Sequence, residues 1–336
     1  FSYNFEGRPN QNDLYDQELE KLLNIKNLKT ENISDIHKNI AASAQKIFEK
    51  KLSEICEEIQ KMNISKNLVY AGGCALNSLA NKKIYETNFF KNIFIPYSPG
   101  DGGGSIGSAL YVQNKKVKNT NFLNLKSPYL GTDYTNNEIK ESISKIESLN
   151  NFSCDFYKSK EELLLIVAKL IYENKIVGFF NGKMEFGARA LGNRSILANP
   201  CNQNIKDIIN KKIKRRESFR PFAPAVLEEK KKEWFNNTRD NMYMSSVEKI
   251  NEDQSKKIPG VTHIDGTGRV QTVSKLFNED FYKLIWNFYN LSNVPILLNT
   301  SFNENEPIVM SPKNAIDCFL RTDMDILVLN NYIIKR

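Results

Sequence analysis

The chain has 336 residues, of which 40% are hydrophobic and 26% charged, an ordinary balance for a globular protein long enough to hold two domains. No apolar run reaches the roughly 18 residues that a membrane-spanning helix needs, and the five cysteines include no CxxC pair. Composition therefore argues against a membrane protein, a disulfide framework and a zinc knuckle, and it favours the reducing cytoplasm. The formal net charge of +8 is compatible with nucleic acid, anionic membranes or small acidic substrates and selects none of them.

The first predicted element is a long amphipathic helix over 34–62, with Ser34 as its N-cap and isoleucines at helical spacing. Two short strands follow, "NLVYAGG" and "NIFIPY", each leading through a glycine turn into a helix, "CALNSLANKKIYE" and "SALYVQNKK". This alternation indicates an α/β layer architecture. Residues 114–127 are polar and aperiodic, and we predict a linker there.

A second α/β unit is predicted from "SPYLGTDY" onward. Its expected helices are 160–173, "NQNIKDIINKKIK" and "SPKNAIDCFLRTD", the last with Ser311 at the N-cap and Pro312 at the first helical position. Its expected strands are "KIVGFF", "FRPFAPAVL", "VPILLNTSF" and "DILVLNNYII". The tract 236–260 is polar and is predicted to be mobile.

Two basic segments of this second unit predict an anion site: the loop "NGKMEFGARALGNRSIL" (181–197) and "KRRESFRPFAP" (214–224). Arginine binds phosphate and carboxylate oxygens through two parallel N–H groups, which lysine cannot do. The cations of the two segments are Lys183, Arg189, Arg194, Lys214, Arg215, Arg216 and Arg220. By contrast, Lys206, Lys211 and Lys212 are predicted to form a solvated helix face.

Two further motifs carry polar groups suited to a ligand. "THIDGTGRVQT" places His263, Asp265 and Arg269 around a glycine turn, where His263 is as compatible with a structural role as with ligand contact. "LLNTSFNENEPIV" ends an apolar strand with the neutral side chains of Asn299, Thr300, Ser301 and Asn303, a position where open α/β sheets bind ligands. Such a set suits a small polar group such as an amide.

Glycines of "GGCALN" (72–77) and "PGDGGGSIG" (99–107) follow strands and precede helices, which favours close approach to a nucleotide phosphate. Asp101 could supply a hard oxygen ligand to a divalent metal. The sequence has no Walker lysine loop or HExxH motif. The expected chemistry is therefore group transfer guided by positioning and electrostatics.

Seven segments in order resemble the NodU-type O-carbamoyltransferases: "YAGGCALNSLANKKI", "PYSPGDGGGSIGSAL", "SPYLGTDY", "GKMEFGARALGNRSILANP", "RESFRPFAPAVL", "VTHIDGTGRVQTV" and "LLNTSFNENEPIV". The resemblance runs from about residue 35 to the C-terminus. It implies an α/β protein in which residues 1–120 are part of a Kae1-like domain of the actin/Hsp70 class, without its N-terminal lobe. Residues 121–336 would then be a YrdC-like α/β domain with a twisted mixed sheet.

By the same resemblance, the second domain activates carbamoyl phosphate with ATP and Mg²⁺ to carbamoyl-adenylate and pyrophosphate. The first domain then transfers the carbamoyl group to a hydroxyl of a small-molecule acceptor, assisted by a divalent metal, commonly iron. The residues implied in binding the phosphates and carbamoyl phosphate are Lys183, Arg189, Arg194, Ser195, Arg216 and Arg220. Those implied in lining the same pocket are Asn299, Ser301 and Asn303, with His263 and Arg269 at its rim.

In the first domain, Gly72, Gly73 and Asn77 would contact the adenylate, and Asp101 would bind the metal. The implied catalytic set is Lys183, Arg189, Arg194, Arg220 and His263. Replacing Arg194 with alanine is expected to abolish adenylate formation and to leave the fold intact. Glu185 has no role in this scheme beyond orienting an arginine.

The sequence departs from the family's usual pattern in three ways. Ala188 stands where proline is usual, Cys74 stands where valine is usual, and the HxxxH metal motif is missing. We therefore expect the family's N-terminal lobe to have been removed or to lie on another chain, so that this chain activates carbamoyl phosphate without completing transfer.

Two alternatives stay open: a tRNA threonylcarbamoyl-adenosine synthesis enzyme, and a non-enzymatic nucleic-acid binder based on "KKIKRR". Both alternatives predict salt-sensitive RNA binding. We rank them below the carbamoyltransferase and expect neither a nucleic-acid nor a membrane partner.

Overall fold

A computed structural model of the chain describes residues 17–24, 33–116, 126–146, 152–236 and 239–336. Most of the predicted linker, residues 117–125, lies outside these ranges. No helix within them has the combination of length and hydropathy needed to cross a bilayer. The chain forms two compact units, residues 1–58 and residues 59–336.

The first unit is helical where it is described. Helix α1 covers Gln17–Leu23, and helix α2 covers Asp35–Lys61, whose last turn falls in the second unit. The helix predicted over 34–62 is therefore confirmed. The Ser34 hydroxyl lies 2.7 Å from Nδ1 of His37 at the start of α2.

The second unit begins with a parallel two-stranded sheet of β1 (Asn67–Val69) and β2 (Asn92–Phe94). The helix predicted between these strands is present but is divided into a 3-10 turn, Gly73–Leu76, and helix α3, Ser78–Glu86. Asn77 separates the two because its side chain caps α3 by accepting the backbone N–H of Ala80 at 3.1 Å.

Helix α4, Gly103–Lys116, begins inside the run predicted to be a glycine turn. Glycine costs only about 1 kcal/mol in a helix, so the glycines of this run are compatible with its first turn.

An eight-stranded mixed sheet dominates the rest of the second unit, in the order β3-β12-β11-β4-β5-β10-β6-β9. The β4–β11 and β6–β9 pairs are parallel and the other pairs are antiparallel. The strands are β3 (Ser153–Phe156), β4 (Val177–Phe180), β5 (Arg194–Ala198), β6 (Ala223–Leu227), β9 (Gln271–Val273), β10 (Ile296–Ser301), β11 (Ile326–Leu329) and β12 (Tyr332–Lys335). A separate antiparallel pair consists of β7 (Glu248–Lys249) and β8 (Thr267–Gly268).

The helices of this part are α5 (Asn136–Ser144), α6 (Lys160–Tyr172), α7 (Ile205–Ile208, continued by a π-helical turn, Ile209–Ile213), α8 (Lys231–Trp234), α9 (Glu252–Ser255), α10 (Glu279–Ser292) and α11 (Pro312–Arg321). Every residue of β4, β5, β6 and β11 is buried. This is expected for β4, β6 and β11, which read as apolar runs. Strand β5 was not predicted, because it begins with Arg194 and Ser195 inside the segment expected to be a loop. Helix α11 starts as predicted, because the Ser311 side chain accepts the N–H of Asn314 at 3.2 Å. The predicted α/β class and mixed sheet are confirmed.

Three details of the prediction are wrong. "DILVLNNYII" is two strands, because Asn330 adopts a left-handed conformation (φ 46°) and turns the chain between β11 and β12. "FRPFAPAVL" enters the sheet only at Ala223. Within the tract predicted to be mobile, the structure instead buries apolar side chains, including those of Met244, Val247 and Ile250.

Candidate active site

A cavity of about 650 Å³ opens where the end of β10 meets three surface segments of the second unit. The loop between β4 and β5 contributes residues 188–190, the segment before β6 contributes 216 and 219–223, and the turn before β9 contributes 263–265 and 269. The start of α3 adds Ser78 and Leu79. Residues far apart in the sequence thus converge at the end of a sheet strand.

The cavity wall is strongly cationic. Within the described ranges, its charged side chains are one carboxylate, Asp265, and the five cations Arg189, Lys206, Arg216, Arg220 and Arg269. Burial, together with the charges of Arg189 and Arg216, lowers the pKa of Arg269 to about 9. The Arg269 Nε atom is buried and has no hydrogen-bond partner in the described structure. Like charges held this close favour a bound anion, which would offset their repulsion.

The arginines are held by single contacts at one edge of the guanidinium. Arg189 donates from Nη2 to the carbonyl of Leu76 at 3.0 Å, and Arg216 donates from Nε to Oδ1 of Asn210 at 2.8 Å. Asn210 is fully buried and also donates to the carbonyl of Arg220 at 2.9 Å, so it fixes the segment that carries both arginines. Arg220 itself pairs with Glu217 at 2.8 Å.

Neutral groups face the cations from β10 and from the turn before β9. Asn299 is only 1% exposed and donates from Nδ2 to Oε1 of Gln271 at 2.7 Å and to the carbonyl of Ala190 at 3.2 Å. The Nδ1 atom of His263 lies 3.1 Å from Oγ1 of Thr267. Burial lowers the pKa of His263 to about 4, so its imidazole is neutral at physiological pH.

Comparison with known proteins matches both ends of the chain to one family. The model of the carbamoyltransferase C-terminus matches residues 168–336, and that of the carbamoyltransferase N-terminus matches residues 9–110. The chain belongs to the carbamoyltransferase family. It is a family of transferase enzymes, as the sequence motifs predicted.

Individual relatives agree with this membership. The chain is 37% identical over 306 residues to nodulation protein NolNO of Sinorhizobium fredii, covering 89% of this chain and 44% of the relative. It is 32% identical over 243 residues to nodulation protein U of Azorhizobium caulinodans, covering 72% of this chain and 40% of the relative. It is also 37% identical over 326 residues to the uncharacterized protein sll1178 of Synechocystis, covering 89% and 52%. The chain thus spans about half the length of the curated relatives that it matches.

Several of the predicted site residues do line the cavity, namely Arg189, Arg216, Arg220, His263, Arg269, Asn299 and Ser301. Lys183, Arg194, Ser195 and Asn303 do not. Lys183 is exposed, whereas Ser195 is buried in β5 and accepts the N–H of Gly192 at 3.0 Å.

Arg194 is fully buried, and backbone carbonyls occupy its guanidinium. Nη1 donates to the carbonyls of Asn181, Gly182 and Asn193 at 2.9–3.1 Å, and Nη2 donates to that of Thr132 at 3.0 Å. The group also stacks on the ring of Phe180, 3.6 Å from its centroid. Arg194 therefore lies outside this cavity, with its guanidinium bound by the backbone, and a role of Arg194 in binding phosphate stays a prediction.

Glu185 explains how the basic loop closes. Its Oε1 atom accepts three backbone N–H groups, from Leu191 at 2.6 Å, Asn193 at 2.7 Å and Arg194 at 3.2 Å. The carboxylate is bound by backbone N–H groups of its own loop, and the hydrogen bonds described for it include none to an arginine side chain. Arg189 lies between the two ends of this loop, Glu185 and Arg194, and lines the cavity.

Two glycines of this loop are required by close packing. Gly187 (φ 134°) lies so near the carbonyl of Tyr97 that an added Cβ would approach it to 2.5 Å. Gly192 (φ 114°) packs against the ring of Phe281, which leaves no room for a Cβ. Both also have positive φ angles that side chains disfavour.

Lys214 and Asn303 form a support behind the cavity. Lys214 is 1% exposed, and its Nζ donates to the carbonyls of Ser301 and Asn303 at 2.6 and 2.7 Å and to Oδ1 of Asn303 at 2.7 Å. Ser301, which lines the cavity, donates from Oγ to the same Oδ1 at 2.7 Å. Lys214 and Asn303, which the sequence suggested as ligand-binding residues, thus stabilise the end of β10.

The predicted contacts from the N-terminal part lie outside the cavity. Gly72, Gly73 and Asn77 do not line it, and the neighbouring Ser78 and Leu79 do so instead. Asp101 is exposed, and the described residues include no group of three or more His, Cys, Asp or Glu side chains that could hold a metal. These residues alone do not fit a bound metal ion.

Sequence reasoning missed three contributors to the wall. Lys206, predicted to be solvated, faces the cavity from α7, and Met244 and Val247 come from the tract predicted to be mobile. Asn81 of α3 donates to the carbonyl of Ser245 at 2.7 Å and thereby fixes this tract. The apolar residues within "NMYMSSVEKI" were the available signal.

Proposed function

We propose that the cavity binds carbamoyl phosphate beside the phosphates of ATP and produces carbamoyl-adenylate, the carbamoyl donor for a hydroxyl of a small-molecule acceptor. The observation that carries this proposal is the ratio of five cations to one carboxylate in a cavity of about 650 Å³. Both reactants are polyanions, and their mutual repulsion falls when arginines surround them. Membership of the carbamoyltransferase family supplies the reaction class.

The reaction balances in three steps. Water releases the phosphoryl group of carbamoyl phosphate as inorganic phosphate and leaves carbamate. A carbamate oxygen attacks the α-phosphorus of ATP, and pyrophosphate departs with the electron pair of the broken P–O bond. The acceptor hydroxyl later loses its proton and attacks the carbamoyl carbon, which releases AMP.

The chain's own side chains have distinct roles in this scheme. Arg189, Arg216 and Arg269 offset the charge of the phosphates, and Arg220 and Lys206 add to the field at the mouth. Neutral His263 adds no positive charge and offers a ring nitrogen to the ligand. A closed cavity would also protect the mixed anhydride from water.

We also propose that residues 121–336 are a YrdC-like activation domain and that residues 1–120 are part of a Kae1-like transfer domain. The separate matches to the C-terminal and N-terminal family models, at 168–336 and 9–110, support this division. ATP would enter with Mg²⁺. The iron of the family is assigned no step here, because the described residues do not fit it.

The test is exchange of labelled pyrophosphate into ATP by the 336-residue chain, with and without carbamoyl phosphate. We expect exchange that depends on carbamoyl phosphate and falls about 100-fold in Arg269→Met, because one electrostatic contact to the transition state is lost. Lys212→Met is the matched control, since Lys212 is exposed and lies outside the cavity. Folded wild-type protein without such exchange would contradict the proposal.

A further inference from the structure

One amide in the cavity wall has a fixed orientation and an unused acceptor. Asn299 lies in the middle of the sheet, paired with Leu197 of β5 and Ala223 of β6. Its Oδ1 atom is buried and has no hydrogen-bond partner in the described part of the chain. Buried polar atoms are nearly always paired, so one left over at a cavity wall calls for a ligand.

The orientation of this amide follows from a chain of hydrogen bonds. The Leu191 carbonyl can only accept, so Gln271 presents its NH₂ to it, at 2.8 Å. The Oε1 atom of Gln271 therefore faces Asn299, which must present its own NH₂, at 2.7 Å. The Ala190 carbonyl, 3.2 Å from the same nitrogen, requires the same orientation. Oδ1 is thus the atom left for the ligand.

The Oδ1 atom of Asn299 differs in this respect from the cations of the wall. Arginine and lysine side chains only donate hydrogen bonds, so they suit phosphate oxygens and cannot bind an NH₂ group. Asp265 already accepts from the N–H and hydroxyl of Thr267, at 3.0 and 2.7 Å. A phosphate or carboxylate oxygen placed against Oδ1 would be repelled, whereas an amide NH₂ would be bound.

We infer that Asn299, oriented by Gln271, is the specificity determinant that recognises the NH₂ group of the carbamoyl donor. This inference rests on the proposed function and specifies which part of the donor the site selects. Acetyl phosphate carries a methyl group where carbamoyl phosphate carries NH₂, and the two share the phosphate. The methyl compound leaves Oδ1 unpaired, so the site should discriminate against it.

The test is calorimetric titration of the 336-residue chain with carbamoyl phosphate, acetyl phosphate and inorganic phosphate. We expect wild type to bind carbamoyl phosphate about 10- to 100-fold more tightly than acetyl phosphate, the range for one buried hydrogen bond. Asn299→Leu should bring this ratio close to one and leave the affinity for inorganic phosphate nearly unchanged. A merely structural role for Asn299 would weaken all three ligands together.

Two further variants keep the test decisive if Asn299→Leu does not fold. Gln271→Met removes the group that orients the amide and should lower the ratio, although Asn299 is retained. Lys212→Met alters an exposed residue outside the cavity and should preserve the ratio. Selectivity lost in Lys212→Met, or retained in folded Asn299→Leu, would overturn the inference.

Different results of the titration would contradict the inference and the proposed function. If wild type binds carbamoyl and acetyl phosphate equally well, the inference is wrong and the proposed function stands. If wild type binds none of the three phosphates, the proposed function fails and takes the inference with it.

Discussion

At the scale of single residues, the decisive question is whether a charged side chain is already satisfied by the protein. Glu185 and Arg194 lie in the same short loop, and both are used by its backbone: the carboxylate accepts N–H groups and the guanidinium donates to carbonyls. Arg189, between them, makes one such contact and faces the cavity. Glu185 and Arg194 therefore stabilise the loop, whereas the loop places the charge of Arg189 at the cavity.

Glu185 should contribute strongly to stability. Replacing it with alanine leaves three backbone N–H groups without their acceptor, and we expect the free energy of unfolding to fall by about 4.5 kcal/mol or more, since charge-assisted hydrogen bonds are each worth about 1.5–3 kcal/mol. Urea denaturation measures this change. Glu141→Ala is the control, because that carboxylate is 72% exposed and should alter stability by less than about 0.5 kcal/mol. Equal stability of the two variants would disprove the role of Glu185.

Arg194 should behave as a structural residue. Arg194→Ala removes the donors to four carbonyls and empties space against Phe180, so we expect a loss of about 3–5 kcal/mol in the free energy of unfolding. Thermal and urea unfolding of the purified variant check this. If the variant were as stable as wild type and lacked only pyrophosphate exchange, Arg194 would act in the reaction and the structural role would be contradicted.

His263 should make stability depend on pH in the acid range. Its folded pKa is lowered to about 4, mainly by burial, with Arg269 and Lys206 adding to the effect and Asp265 opposing it. Between about pH 6.5, the ordinary value, and pH 4, the unfolded chain binds a proton that the folded chain does not, so the free energy of unfolding falls as the pH falls.

The measurement is urea denaturation of wild type and His263→Gln at pH 7, 6 and 5. Wild type should lose stability more steeply than the variant, by at most about 1.4 kcal/mol per pH unit. Parallel curves for the two proteins would exclude this titration.

At the scale of elements, the end of β10 is shaped by a residue from another element. Lys214 follows the π-helical turn after α7 and holds the carbonyls of Ser301 and Asn303. In Lys214→Met, we expect backbone amides at residues 301–303 to exchange hydrogen about 10- to 100-fold faster, while those at Ile296–Leu298 keep their protection. Hydrogen exchange followed by mass spectrometry resolves the two segments. Lys212→Met should exchange as wild type does, and unchanged protection at 301–303 in Lys214→Met would refute the assignment.

Elements whose ends carry local signals could be predicted from the sequence. Helix α2 shows its isoleucine period over its whole length, and Ser311 with Pro312 marks the first turn of α11. The turn at Asn330 could not be predicted in this way, because "LNN" reads as strand until the left-handed backbone is seen. Nor could the packing of 239–260, which depends on contacts with α3, more than 150 residues earlier, such as that of Asn81 with Ser245.

The site was predictable to the extent that residue type limits function. Arg216, Arg269 and Asn299 could be selected because arginines before a strand and amides after one suit anions and polar ligands. The sequence could not show that the last three residues of the basic run "KKIKRR" have different surroundings in the fold. Lys214 is buried, Arg215 pairs with Glu304 at 3.0 Å, and Arg216 turns toward the cavity.

At the scale of the whole molecule, part of the net charge of +8 is concentrated at the cavity. Five cations surround one cavity, whereas Lys211, Lys212 and Arg215 of "KKIKRR" stay exposed, so the charge alone does not decide between a small anion and a nucleic acid. An RNA binder would show tight binding that weakens steeply with salt. A site for a small anion predicts instead a saturable effect of small phosphates on stability.

Pyrophosphate should therefore raise the melting temperature of the chain. A ligand at about 100 times its Kd adds about 2.7 kcal/mol to the stability of the folded state, which for a unit of this size corresponds to a rise of about 5 °C. The rise in melting temperature should become smaller as NaCl is increased from about 0.1 M to about 0.5 M, because salt screens the partly exposed cations. Arg269→Met should reduce the rise, since it removes a charge at the wall of the cavity, and Lys212→Met should preserve it. Differential scanning calorimetry measures all three proteins under the same conditions. If Arg269→Met and Lys212→Met lowered the rise in melting temperature equally, the effect of pyrophosphate would depend on the overall charge of the protein. The cavity would then not be the site that binds the anion.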